Sequence, residues 1–117
     1  MIVLYGISNC DTVKKARRFL ENHSVPYQFH DFRKEGLSAK QVDNWLNALG
    51  LDVLINKRSR TWKELSSKQR AALAGDKGAD LIANNPTLIK RPVLELAKAK
   101  SKPVVGFVEQ QYVKLFS

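Results

Sequence analysis

The sequence predicts an α/β fold: a parallel βαβ unit at the start, an all-helical block in the middle and a ββα unit at the end, giving a four-stranded mixed sheet. Three observations carry this. A β-rich run, a segment of helical period and a second alternating run follow one another within about thirty residues. The middle of the chain is punctuated by helix caps. Two apolar runs near the end lie close enough in sequence to pair before a last helical segment.

Residues 2–5, "IVLY", are a continuous apolar run too short for a helix and stopped by Gly6, which reads as a buried strand. From Thr12 onward Val13, Ala16, Leu20 and His23 fall at helical spacing with Phe19 beside them, while Lys14, Lys15, Arg17, Arg18 and Glu21 take the other face. Pro26 opens "YQFHDF", in which Tyr27, Phe29 and Asp31 alternate with Gln28, His30 and Phe32 as a strand would. Strand, helix and strand at this spacing make a βαβ unit, with parallel strands and a right-handed crossover.

Leu37, Ser38, Gln41 and Val42 then place a hydrophobic staple around a capping box; Val42, Trp45, Leu46 and Leu49 form an apolar stripe, and Gly50 suits the stop. Thr61 with Glu64 repeats the box signature before "WKELSSKQRAAL", and "GADLIANNP" reads as a short helix ended before Pro86. Residues 38–85 are therefore expected to be helical in three pieces. "RPVLELA" and "KPVVGF", separated by "KAKS", are expected to form an antiparallel hairpin over Val93 to Leu96 and Val104 to Phe107, with "VEQQYVKLF" as a closing helix. This is the order of a thioredoxin- or glutaredoxin-like core with an all-helical insert. The expected organisation is one domain over residues 1–117, with core segments 1–37 and 86–117 and an insert over 38–85.

A length of 117 residues fits one domain. No apolar run approaches the ~20 residues a membrane span needs, and "MIVLYGISNC" lacks the basic start of a secretory signal, so a cytoplasmic location and no membrane partner are expected. The single cysteine, Cys10, rules out a disulfide within the chain. With only two histidines, His23 and His30, a closed zinc site is not expected and no metal is assigned. The net charge of +9 points to an anionic partner. Nucleic acid is the least favoured of these, because no basic stretch is interleaved with stacking aromatics.

Cys10 follows the first strand and lies in the loop, or the first turn, of the helix that comes next. Unpaired backbone N–H groups and the helix dipole favour an anion there, and so favour a thiolate. Lys14, one turn on, adds to this effect, and the adjacent Asp11 opposes it. Thr12 either gives its hydroxyl to the sulfur or caps the helix. In an open α/β architecture the loop beyond the carboxyl end of a parallel strand is where ligands bind, which makes Cys10 a candidate reactive thiol.

The stretches "YGISNCDTVKKA", "LINKRSRTWKEL", "NPTLIKRPVL" and "VVGF", in this order, resemble the arsenate reductase (ArsC) and Spx family of glutaredoxin-like proteins, most closely its YffB-type branch. The resemblance covers essentially the whole chain. It implies that Cys10 is the nucleophile, that Arg91 binds a substrate or oxyanion and that Pro92 is a cis-proline. Of the further arginines of arsenate reductases, one corresponds in place to Asn56, with Lys57, Arg58 and Arg60 nearby, and one has no counterpart in "PVVGFVEQQY". Spx-type regulators often carry a C-x-x-C switch, and Val13 stands where its second cysteine would be.

A monothiol site needs an external thiol to complete a cycle, and glutathione is the abundant intracellular one. The expected function is a glutathione-dependent, arsenate reductase-like thiol oxidoreductase with no bound cofactor and glutathione as co-substrate. Its partners are then glutathione and a small oxyanion or an oxidised thiol. Cys10 and Arg91 are the catalytic candidates; Asn9, Thr12, Lys14, Asn56, Lys57, Arg58, Arg60 and Pro92 are the candidates for binding substrate or glutathione. The alternatives are an Spx-like, non-catalytic regulator that binds RNA polymerase, and a true arsenate reductase.

Overall fold

The elements run β1 (Ile2–Gly6), α1 (Asp11–Asn22), β2 (Tyr27–Asp31), α2 (Phe32–Glu35), α3 (Ala39–Leu49), α4 (Leu51–Leu54), α5 (Arg60–Glu64), α6 (Ser67–Ala72), α7 (Gly78–Asn84), a 3-10 turn (Pro86–Leu88), β3 (Val93–Glu95), β4 (Val104–Val105) and α8 (Glu109–Leu115). This computed structural model describes residues 1–97 and 101–116. The chain divides into two units, one of Met1–Glu35 with Arg91–Ser117 and one of Gly36–Lys90.

In the first unit the strands form one sheet in the order β2-β1-β3-β4. β1 and β2 are parallel, in register from Ile2 opposite Tyr27 to Gly6 opposite Asp31. β3 is antiparallel to β1, with Leu4 opposite Leu94, and to β4, with Leu94 opposite Val104. This is the mixed four-stranded sheet of a thioredoxin-like core. The unbroken apolar run of β1 has its physical reason here, since a central strand is covered on both faces.

The core gathers Leu4 and Leu94 from the sheet, Ala16, Phe19 and Leu20 from α1, and Tyr112 from α8. Full burial of an aliphatic or aromatic side chain of this size stabilises by about 1.5–3 kcal/mol. The expected apolar stripe of α1 is present except at its end. His23 lies beyond the helix and is exposed; its ring stacks on Phe19 at 3.9 Å between centroids, and its Nδ1 lies 2.9 Å from the Phe19 carbonyl oxygen. Phe32 likewise leaves the expected strand: β2 ends at Asp31, and Phe32 opens α2 with its ring buried against Tyr5.

The hairpin strands are shorter than the apolar runs suggested. β4 stops at Val105 because Gly106 takes φ +74°, outside the extended region, and donates its N–H to the Pro92 carbonyl oxygen at 2.9 Å. The expected turn "KAKS" falls largely on residues 98–100, outside the described residues.

The second unit is helical in five pieces among the described residues, where three were expected. Ser38 caps α3 as read, accepting from the Gln41 N–H at 3.1 Å, and Gly50 ends it at φ +85°. The chain then makes one further turn, α4. Thr61 does not cap the next helix: Ser59, two residues earlier, accepts from the Trp62 N–H, and the Thr61 hydroxyl meets that of Thr87 at 2.6 Å. A full capping box between Ser66 and Gln69 starts α6 separately. α3 packs on α7, burying Val42, Trp45 and Ile82, and Ile55 forms an isolated antiparallel bridge with Ile89. No helix among the described residues is long and apolar enough to cross a membrane.

Candidate functional site

β1 ends at Gly6, and after three intervening residues Cys10 is itself the N-cap of α1, with φ −91° and ψ 126°. Its backbone closes the turn on both sides. The Cys10 N–H donates to the Ile7 carbonyl at 3.2 Å, and the Cys10 carbonyl accepts from the Lys14 N–H at 2.9 Å. Its side chain makes no capping hydrogen bond, and the residue is half-buried. The N-cap position lies beside the free N–H groups of the first turn, and the thiol is not committed to them. Thr12 is therefore not the cap; it occupies the second helical position and is half-buried. Asn9 and Lys14 flank the cysteine and are exposed.

Beside this loop, at the end of β2, lies a residue that the sequence reading treated only as part of a strand. Asp31 sits opposite Gly6 and is only 4% exposed. Burial pushes its carboxyl up, but hydrogen bonds from the Arg33 N–H (2.8 Å), from the hydroxyl and N–H of Ser8 and from the Lys34 N–H outweigh that effect and hold it below the usual carboxylate range. The available signal was an acidic residue closing the strand that pairs with β1, at the end where both parallel strands deliver their loops.

The chain enters β3 at the same end of the sheet, because Tyr5, next to the last residue of β1, pairs with Val93, the first of β3. The peptide bond just before it, Arg91–Pro92, is cis, as the resemblance implied, and Pro92 is buried. Nε and Nη1 of Arg91 are buried without a hydrogen-bond partner among the described residues. Buried N–H donors are ordinarily satisfied, and a charged one left bare is an uncommon arrangement that an anion would complete.

The remaining candidates, Asn56, Lys57, Arg58 and Arg60, lie in the helical unit. Asn56 shapes the turn into α5: its side-chain oxygen accepts from the Arg58 N–H at 3.0 Å, and its N–H donates to the Leu88 carbonyl at 2.8 Å. Lys57 Nζ is 3.2 Å from Asp52 Oδ1 and 5.8 Å from the centre of the Trp62 ring. Arg60 Nε is 3.1 Å from Glu64 Oε1. Both ion pairs are exposed and contribute little to stability. With Lys90, residues Asn56, Lys57 and Arg58 line an open cleft of about 390 Å³.

Comparison with known proteins agrees over nearly the whole chain. A solved structure of a YffB protein matches with TM-score 0.89 and 37% identity, covering 100% of both chains. The solution structure of an arsenate reductase (ArsC) related protein from Brucella melitensis matches with TM-score 0.75 and 39% identity, over 99% of this chain and 94% of that one. The global transcriptional regulator Spx of Listeria innocua is 32% identical over 96 residues, 80% of this chain and 72% of the regulator. The model of the ArsC family matches residues 5–115, so the chain belongs to the ArsC family.

Proposed function

We propose that this chain is a glutathione-dependent thiol oxidoreductase, arsenate reductase-like, that acts in the cytoplasm through the single nucleophile Cys10. The observation that carries the reading is the pair of buried Arg91 nitrogens, Nε and Nη1, that have no partner among the described residues. A buried donor without a partner costs about 1–3 kcal/mol, and more when charged, so an anion that satisfies Nε and Nη1 gains binding energy there. Cys10, at the same end of the sheet, has its sulfur free of capping duty.

In the proposed cycle the Cys10 thiolate attacks the glutathionyl sulfur of an oxidised thiol. A Cys10–glutathione disulfide forms, and the substrate leaves as a thiolate that takes up a proton. A second glutathione, as thiolate, then attacks the glutathionyl sulfur; glutathione disulfide leaves and the Cys10 thiolate returns. No second cysteine exists to resolve the intermediate, so the external thiol is required. Arg91 holds a carboxylate of glutathione, or a small oxyanion as the other substrate class. Asn9 and Thr12, close to Cys10 in sequence, are candidates to orient the thiol loop, and Lys14, Lys57, Arg58 and Arg60 are secondary candidates for the anion.

The likeness to an Spx regulator supports a second reading, a non-catalytic module that docks on RNA polymerase through its basic surface. True arsenate reduction is less well supported, since two of the three arginines that arsenate reductases use have no arginine at the matching place in this chain. Mass spectrometry after exposure to oxidised glutathione, with Cys10→Ser as control, separates the readings. The enzyme reading expects one glutathione on Cys10, removed by a reductant. No uptake by the wild type overturns it in favour of the docking module.

A further inference from the structure

We infer that the cleft along the carboxyl half of α1 binds a purine nucleoside monophosphate, with the base stacked on His23 and the phosphate held by Lys15 and Arg18. The inference is independent of the thiol chemistry, since Cys10 opens this helix and does not line the cleft. Lys15, Arg18 and Asn22 recur every three or four residues, so they stand on one stripe of α1 with Phe19 and His23 beside them. Phe107 and Glu109 supply the other wall of a cleft of about 320 Å³. That volume is at the small end for ligand sites and suits a single nucleotide.

His23 is built as a platform. A carbonyl oxygen only accepts, so Nδ1 carries the proton that it donates to the Phe19 carbonyl at 2.9 Å, and this bond fixes the ring. One face of the imidazole lies on Phe19, with 3.9 Å between centroids and 21° between planes. The residue is nevertheless exposed, so a flat ring laid on its other face extends the stack, and the fused rings of a purine cover more of it than a single ring does. Phe107, tilted by 58° to Phe19 at 6.0 Å, adds an aromatic side wall.

The cations beside the platform are uncommitted. Arg17 is engaged, its Nε bonded to the Tyr27 hydroxyl and its guanidinium over the Phe29 ring, whereas Lys15 and Arg18 are exposed and form no ion pair among the described residues. Arg18 lies about 7.5 Å along the helix axis from His23, the kind of gap a ribose fills between a base and its phosphate. The reverse orientation is disfavoured, because the carbonyl end of the helix at His23 repels a phosphate that the cations further back attract. Glu109, the only carboxylate lining the cleft among the described residues, likewise keeps the phosphate from its side, and it can accept from N–H donors on the edge of a purine. With one platform rather than a row of them, the cleft takes a single base and not a strand.

Titration of the full chain with adenosine monophosphate, adenosine, inorganic phosphate and a short oligoadenylate, followed by amide NMR shifts, tests this. Adenosine monophosphate is expected to saturate, with the largest shifts at Lys15, Arg18, Asn22, His23 and Phe107, and to bind about tenfold or more tightly than adenosine or phosphate alone. Arg18→Glu is expected to weaken the monophosphate about tenfold and to leave adenosine unchanged. His23→Ala is expected to weaken the monophosphate and adenosine alike, on the order of tenfold, and to leave phosphate unchanged. Thermal midpoints check that the variants fold; if His23→Ala does not, the exposed Lys15→Glu and Arg18→Glu decide. A monophosphate that binds no more tightly than inorganic phosphate, or whose shifts spread over the whole basic surface, reports charge alone and overturns the inference, as does a titration that does not saturate. An oligoadenylate that binds more tightly per base than the monophosphate makes this face a nucleic-acid surface and overturns it too.

Discussion

A methyl group placed on Gly6 would lie 2.7 Å from Cγ2 and 3.3 Å from Cγ1 of Val13, so the last residue of β1 and the first buried residue of α1 meet with no space for a side chain. Val13 is β-branched and stiff in a helix, and it is fully buried, so it cannot turn away. Gly6→Ala is expected to destabilise the chain by about 1–3 kcal/mol through overpacking. Gly6→Ala combined with Val13→Ala should lose less than the sum of the single changes. Urea unfolding of the three variants checks this; a Gly6→Ala midpoint indistinguishable from that of the wild type would show that the helix simply moves aside.

Arg91 is expected to trade stability against binding. Arg91→Met keeps a long apolar stem and removes two buried N–H donors that have no partner among the described residues. The thermal midpoint should therefore stay level or rise. Glutathione uptake should weaken by about 1.5–3 kcal/mol, on the order of tenfold to a hundredfold in half-saturating concentration. A variant that loses stability but binds glutathione normally would place Arg91 among the structural residues instead.

Signals that arise and are satisfied locally could be read from the sequence. β1 was legible because burial on both faces leaves an unbroken apolar run, and α3 because Ser38, Gln41 and Gly50 act within or beside their own helix. α5 was misplaced because Ser59 and Thr61 are both competent caps two residues apart, and the choice was made by Thr87, 26 residues downstream, which engages the Thr61 hydroxyl. Cys10 was placed by the strand–helix pattern, while the N-cap position, one of the two roles left open for Thr12, is occupied by Cys10. The burial of Asp31 had no local signature, since it depends on the β1–β2 register setting it opposite Gly6. That Nε and Nη1 of Arg91 are buried without a partner among the described residues is likewise a property of the folded chain alone, although the resemblance had already singled out the residue.

The pH dependence of stability follows from Asp31. Its carboxyl is held below its unfolded value by the Ser8, Arg33 and Lys34 donors, against burial, so the ionised form binds these groups in the fold and the unfolded chain takes up a proton first as pH falls. The stabilisation is present above about pH 4, the range of an unfolded aspartate, and is lost as pH falls through the lower folded value. Urea midpoints of the wild type and Asp31→Asn across pH 2 to 7 are expected to differ by a constant amount above about pH 5 and to converge below about pH 4. Parallel curves down to the lowest pH would mean that the Asp31 charge makes no contribution.

Tyr112 offers a test of the core. The residue is fully buried, with its ring edge-on to Phe107 at 4.7 Å and to Phe19 at 5.6 Å, while its hydroxyl is buried without a partner among the described residues. Burial pushes this phenol far above its usual range, so it stays neutral throughout the working range of the protein. Phenylalanine would preserve every ring contact and remove only a desolvated hydroxyl. Tyr112→Phe is therefore expected to leave stability unchanged or raise it by about 0.5–2 kcal/mol. Tyr5 provides the opposite case, because its hydroxyl donates to Glu95 Oε1 at 2.9 Å. Tyr5→Phe withdraws a bond from a carboxylate and should destabilise by about 1 kcal/mol or more. Calorimetric unfolding of the two variants side by side decides the matter: a loss for Tyr112→Phe as large as that for Tyr5→Phe would show that the Tyr112 hydroxyl is hydrogen-bonded in solution and that the core around it is less dry than its geometry indicates.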